Sequence, residues 1–134
     1  MANLEKVEGI GPAYAAKLAK IGVKTTGALL TKGATPQGRK DLAKESGVSP
    51  KLLLEWINHV DLFRVNGVGE EYADLLEEAG VDTVPELAQR NAKALYEALE
   101  KTNTKKKLVR QMPGEKRVAG WIASAKKLPR VIQY

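Results

Sequence analysis

The chain has no cysteine, so disulfides, thiolate nucleophiles and cysteine-held zinc are excluded. Its single histidine, His59, has no nucleophile motif or second ligand at a recognisable spacing to serve. A phosphate-binding GK[ST] loop is also missing, which argues against nucleotide hydrolysis. Aromatic residues are only 5% of the chain and β-branched runs are lacking, so a sheet-built core is not expected. No apolar run reaches membrane-spanning length, and MANLEKVEGIG lacks the apolar stretch of a secretory leader. These absences lead to the expectation of a cytoplasmic protein with no membrane partner and no catalytic, metal or cofactor site.

What is present is Leu, Ala, Lys and Glu, a composition that predicts an all-α fold. The net charge of +6 is sharply segregated. Residues 1–57 carry nine Lys/Arg against five Asp/Glu, residues 58–104 four against ten, and residues 105–134 nine against one. Such blocks suit either a polyanion-facing surface with a separate acidic one, or solvated helix faces.

An internal repeat is visible at a shift of 58 residues. VEGIGPAYAAKLAKIGVKTTGALL (7–30) lies over VNGVGEEYADLLEEAGVDTVPELA (65–88) with ten identities in 24 positions. Average residue usage yields roughly one or two by chance. A weaker echo sets LLLEWINHV (52–60) over RVAGWIASA (117–125) and aligns Trp56 with Trp121 at a shift of 65. The expected organisation is two duplicated helical halves, 1–61 and 62–134, packed together because no flexible linker separates them.

Helix signals run throughout. Pro12, Thr35-Pro36 and Ser49-Pro50 read as helix starts, Thr83 to Glu86 as a capping box and Asn91 as a cap. Gly22 and Gly80 read as left-handed helix ends. A final helix over about 113–128 presents Val118, Trp121, Ile122 and Ala125 on one stripe, and the tail VIQY is expected to pack on the body. Both tryptophans read as core anchors rather than stacking partners for bases.

The pattern GxG directly before a helix, Gly9-Ile10-Gly11 and again Gly67-Val68-Gly69, makes a tight turn whose central residue can plug inward. The backbone N–H groups just beyond the turn have no intrahelical partner, and the helix dipole adds positive charge there. Such a corner suits an anion, and it would contact nucleic-acid backbone without reading bases.

VEGIGPAYAAKL and VNGVGEEYADLL resemble the helix-hairpin-helix motif of DNA repair proteins, ligases and polymerases. With its WI landmarks and LPRVIQY ending, nearly the whole chain is similar to a bacterial family, a domain of unknown function built on helix-hairpin-helix units. The resemblance implies that each half opens with such a motif. It implies that Gly9, Ile10 and Gly11 hold DNA phosphate, while Gly67, Val68 and Gly69 match the same turn. DNA-binding hairpins often place Lys or Arg shortly after the second glycine, whereas Ala13 stands here. Lys17, Lys20 and Lys24 could compensate as a stripe on the outer face of the helix, or simply solvate it. The second hairpin carries Leu75, Glu78 and Asp82 at the matching positions, with Glu70, Glu71, Asp74 and Glu77 around its turn. It is therefore expected to be structural or to meet a protein, and not to bind DNA. Lys105, Lys106, Lys107, Arg110, Lys116 and Arg117 form an accessory basic segment, and Lys126, Lys127 and Arg130 continue the same basic run.

The function expected on these grounds is non-enzymatic, sequence-independent binding of double-stranded DNA through the first hairpin and the C-terminal basic segment. The alternative is a protein–protein adaptor in which both hairpins are structural and the acidic middle docks a partner.

Overall fold

A computed structural model of the chain describes residues 3–134. Among them are eight α-helices: α1 (Pro12–Lys20), α2 (Thr26–Lys32), α3 (Pro36–Ser46), α4 (Pro50–Leu62), α5 (Glu70–Glu78), α6 (Val84–Ala88), α7 (Ala92–Lys106) and α8 (Glu115–Lys127). A 3-10 turn, Leu4–Lys6, precedes them. Extended pairing among the described residues is limited to an isolated antiparallel bridge between Asn3 and Thr25. The protein is all-α, and no helix among the described residues is long and apolar enough to cross a membrane.

The helices begin where local chemistry supplies a start. Pro12, Pro36 and Pro50 are each the first helical residue, where the missing N–H costs nothing. Thr25 and Thr35 accept from the N–H groups of Ala28 (3.1 Å) and Gly38 (3.0 Å), and Asn91 accepts from Ala94 (3.0 Å). Thr83 departs from the expected capping box. Its hydroxyl lies 3.4 Å from the Glu86 carboxylate and makes no cap bond to the backbone. The charged carboxylate is the stronger partner for that hydroxyl.

Two helices end alike. After α1, Gly22 N–H donates to Ala19 O (3.0 Å) and Val23 N–H to Leu18 O (2.9 Å). After α5, Gly80 N–H donates to Glu77 O (3.0 Å) and Val81 N–H to Leu76 O (2.8 Å). Both glycines take the left-handed conformation that this pair of bonds requires, and both valines are buried against the helix they terminate.

The chain divides into two compact units, Met1–Asp61 with Val131–Tyr134, and Leu62–Arg130. In the first, Leu18, Val23, Leu29, Leu42, Leu53, Trp56 and Ile57 are buried. In the second, α8 packs on α6 and α7 and buries Val118, Trp121, Ile122 and Ala125.

The last four residues belong to the first unit, where a buried arginine clasps them. Arg39 Nη1 donates to Gly33 O (2.9 Å) and Nη2 to Gln133 O (2.7 Å). Gln133 N–H donates in turn to Ala34 O (2.7 Å), and Ile132 is buried. The Tyr134 hydroxyl donates to Asn58 Oδ1 (2.9 Å), with the Arg39 guanidinium 5.8 Å from the centre of the Tyr134 ring. A buried guanidinium is tolerated here because backbone carbonyls satisfy it.

Arg39→Ala should lower the unfolding free energy by about 3 kcal/mol, since two charge-assisted bonds disappear. Ile132→Ala should cost roughly 2–4 kcal/mol. Because both act on one clasp, urea melts of the double variant should show less than the summed loss. Strictly additive losses would mean that Arg39 and the tail stabilise the unit independently.

Candidate functional site

Each unit contains a GxG corner built from the same parts. In the first, the turn closes with Ile10 N–H donating to Val7 O (3.1 Å), and both side chains are buried beneath it. In the second, Val68 N–H donates to Val65 O (3.0 Å), again with both side chains buried. The leading glycine of each turn has a positive φ, +93° at Gly9 and +89° at Gly67. L-residues with a side chain rarely adopt this conformation.

Those two glycines are also held sterically. A Cβ on Gly9 would sit 3.2 Å from Trp56 Nε1, and one on Gly67 would sit 3.3 Å from Trp121 Nε1. Thus the N–H edge of the indole from α4 or α8 abuts its own corner. Trp121 Nε1 is buried with no hydrogen-bond partner, so its N–H faces the glycine with its hydrogen-bonding potential unmet.

The trailing glycines differ in role. Gly11 and Gly69 are extended N-cap residues of α1 and α5, with no side-chain cap. A Cβ at either would meet nothing within 4 Å. Each corner therefore pairs one glycine that the packing requires with one that leaves a helix N-terminus open to solvent.

A tyrosine follows each corner at the same distance and packs on the tryptophan. Tyr14 and Trp56 have ring centres 5.0 Å apart at 63°, and Tyr72 and Trp121 have theirs 5.2 Å apart at 49°. A cation then sits on each tyrosine. Lys17 Nζ is 5.6 Å from the Tyr14 ring centre, while Arg117 Cζ is 4.9 Å from that of Tyr72. Arg117 Nη1 also lies 3.4 Å from the Tyr72 hydroxyl. The cation comes from the helix after the turn in the first unit and from α8 in the second. Counted at the repeat shifts, Lys17 is matched by Leu75 and Arg117 by Leu52, so the two units exchange a cation for a leucine.

Charge separates the corners. The first turn of α1 carries no acidic residue, whereas that of α5 carries Glu70 and Glu71, both exposed. The dipole at α5 is thereby answered by its own carboxylates.

The expected lysine stripe on α1 does not form. Lys17 and Lys20 are exposed on the helix, but the left-handed turn at Gly22 stops it at Lys20. Lys24 lies beyond that turn and lines a groove with Asn3, Glu5, Pro12 and Ala15. Lys20 is nine residues past Gly11, about 13 Å along the axis, so of the two lysines on α1 Lys17 lies nearer the corner.

The accessory basic residues also divide. Lys105 and Lys106 form the last turn of α7 and Lys107 its left-handed cap, with Lys106 paired to Glu78. Arg110 is exposed between α7 and α8, and Lys116 and Arg117 lie in the first turn of α8. Arg117 also lines a second groove, beside the Asn66–Gly67 turn, with Gly120, Ser124 and Lys127. Sequence reasoning took Arg117 and Lys127 as members of a basic run and passed over Asn66, Gly120 and Ser124. The signal that links them is the helical spacing 117, 120, 124, 127.

The fold and these corners define an all-helical protein of two compact units, each with a glycine turn seated on a tryptophan. The chain belongs to the family described as a domain of unknown function (DUF4332), which matches residues 8–128. No curated protein and no solved structure matches it.

The division between the glycines is measurable. Gly9→Ala and Gly67→Ala should each destabilise by about 1–3 kcal/mol, through backbone strain and contact with the indole. Gly11→Ser and Gly69→Ser should be neutral or stabilising by a few tenths of a kcal/mol, because serine caps a helix at least as well as glycine. Equal losses at all four positions in thermal or urea melts would contradict this division.

Proposed function

We propose that the protein is a tandem, duplicated helix-hairpin-helix module that binds the DNA backbone without sequence preference and without catalysing a reaction. The two corners are its hairpins, and the first makes the principal contact. The observation that carries this reading is the uncapped N-terminus of α1. It begins at an exposed glycine with open space around it and has no acidic residue in its first turn. The free N–H groups of Ala13 and Tyr14, with the dipole behind them, suit a phosphate oxygen. Lys17, held over Tyr14 one turn along, adds a charge-assisted contact. Such contacts go to phosphate and carry no base information.

The exposed Glu70 and Glu71 at the second corner favour a protein-binding role for that face, the adaptor reading. Carboxylates in the first turn repel phosphate where the first corner attracts it. The two readings divide over whether DNA binds at all.

Titration of the protein against a short DNA duplex of arbitrary sequence, between about 50 and 200 mM salt, tests this. Affinity should fall steeply with salt. Gly11→Asp should weaken binding at least about tenfold without loss of thermal stability, since aspartate is a favoured N-cap and occupies the phosphate's place. Lys17→Glu should reduce the salt slope by about one. Gly69→Asp should leave affinity nearly unchanged. Absence of binding at low salt would overturn the proposal and leave the adaptor reading.

A further inference from the structure

The groove between the Asn66–Gly67 turn and α8 has three properties that packing within the protein does not require. First, α8 places a cation at each end of the groove. Arg117 and Lys127 are exposed and ten residues apart, about 15 Å along the helix. Second, the groove's waist is cleared of side chain. Gly120 sits in mid-helix, exposed, where a Cβ would meet nothing within 4 Å. Glycine is among the poorest helix formers, and no neighbour in the protein demands it at this position. What a bare backbone at an open helix surface does permit is close approach by something outside the chain. Third, Arg117 is pre-positioned. It rests on the Tyr72 ring, Tyr72 rests on Trp121, and Trp121 rests on Gly67.

The first unit shares the third property, with Lys17 on the Tyr14 ring, but lacks the first two. Counted from its own tryptophan, the residues matching Arg117, Gly120, Ser124 and Lys127 are Leu52, Glu55, His59 and Leu62. The groove is therefore particular to the second unit, and the shared corner does not account for it.

We infer that this groove is a second nucleic-acid-backbone site, in which Arg117 and Lys127 hold phosphates of one strand that passes over Gly120 and Ser124. The two cations, about 15 Å apart along the helix, are far enough apart to engage different phosphates of that strand. Arginine suits the better-ordered end, because its planar fork binds phosphate through two bonds. Ser124 and Asn66 add neutral donors between the cations. A protein partner would need a large apolar anchor, and the groove's accessible apolar lining is only Ala123 and part of Leu128. Trp121 is buried, Leu128 is half-buried, and the exposed large hydrophobic residue of the described chain, Tyr134, lies outside the groove. Glu70 and Glu71 do not line the groove. They reject phosphate from the N-terminus of α5, while α8 attracts it on its own flank. The second unit thus meets the backbone through α8 and not through the open end of its hairpin helix. This inference goes beyond the reading of the first corner and stands or falls separately from it.

The two tryptophans supply a separate reporter for each site, because one indole N–H lies against each corner. In 15N-labelled full-length protein, a short DNA duplex should shift the Trp121 indole resonance, identified by its loss in Trp121→Phe. Arg117→Glu/Lys127→Glu should abolish that shift, weaken DNA binding at least about tenfold and lower the salt slope by about two. The charge-matched Lys93→Glu/Lys101→Glu, on the exposed face of α7, should change affinity far less. Gly120→Leu should obstruct the groove with no change of charge, weakening binding about fivefold or more while the thermal melt is kept or raised. A Trp56 shift alone, with Trp121 and the Arg117→Glu/Lys127→Glu affinity unchanged, would overturn the groove and leave the first corner intact. A Trp121 shift alone would do the reverse. Poly-glutamate that moves the Trp121 resonance as strongly as DNA, at equal ionic strength, would replace the phosphate reading with docking of an acidic protein.

Discussion

Each unit depends on the N–H edge of an indole set against a glycine. At Gly9 and at Gly67 the backbone has turned into the left-handed region, and the space a side chain would occupy is taken by the tryptophan of α4 or α8. Any other residue there would have to adopt a strained backbone and crowd the tryptophan, which would have to shift slightly. The contact fixes the start of the following helix against the last long helix of the same unit. It also sets the tyrosine, which packs on the indole's flank, and through it the lysine or arginine on that ring. Trp121 accepts an unsatisfied N–H for this position, a cost of about 1–3 kcal/mol. Burial of the indole on a surface with no Cβ offsets it.

Because the leading glycine is committed to packing, the trailing glycine is released from it. Gly11 and Gly69 carry neither strain nor contact, and they leave two helix N-termini without caps. An uncapped N-terminus is an electrostatic opportunity, and the residues of its first turn decide what becomes of it. Pro12-Ala13-Tyr14 leaves the opportunity open, whereas Glu70 and Glu71 fill it with the chain's own charge. One architecture thus carries two electrostatic characters, and side chains alone distinguish them.

The same exchange operates one layer further out. Lys17 stands over Tyr14 and Arg117 over Tyr72, but one rises from α1 and the other from α8, with leucine at each vacated position. The cation on the tyrosine is thus kept while its helix changes, and the basic flank lies at a different side of each corner. On the reading proposed above, the first unit presents its hairpin helix to phosphate and the second its last helix.

Much of this was legible in the residue order because the physics behind it is local. Helix content, the proline starts, the Thr35 and Asn91 caps and the left-handed ends at Gly22 and Gly80 each involve only a few consecutive residues. Residue order alone therefore determined them. The GxG corners belong here too, since a turn followed by a helix start is complete within five residues. Tertiary structure decided what links distant positions. It placed Trp56 on Gly9 and Trp121 on Gly67, 47 and 54 residues apart in the chain. It set Arg39 to clasp a tail 94 residues away. It cut the lysine stripe at Lys20 and collected Asn66, Gly120 and Lys127 around one groove. Such contacts arise from packing of whole helices, and helical spacing names the face a residue shares but not the surface that face will meet.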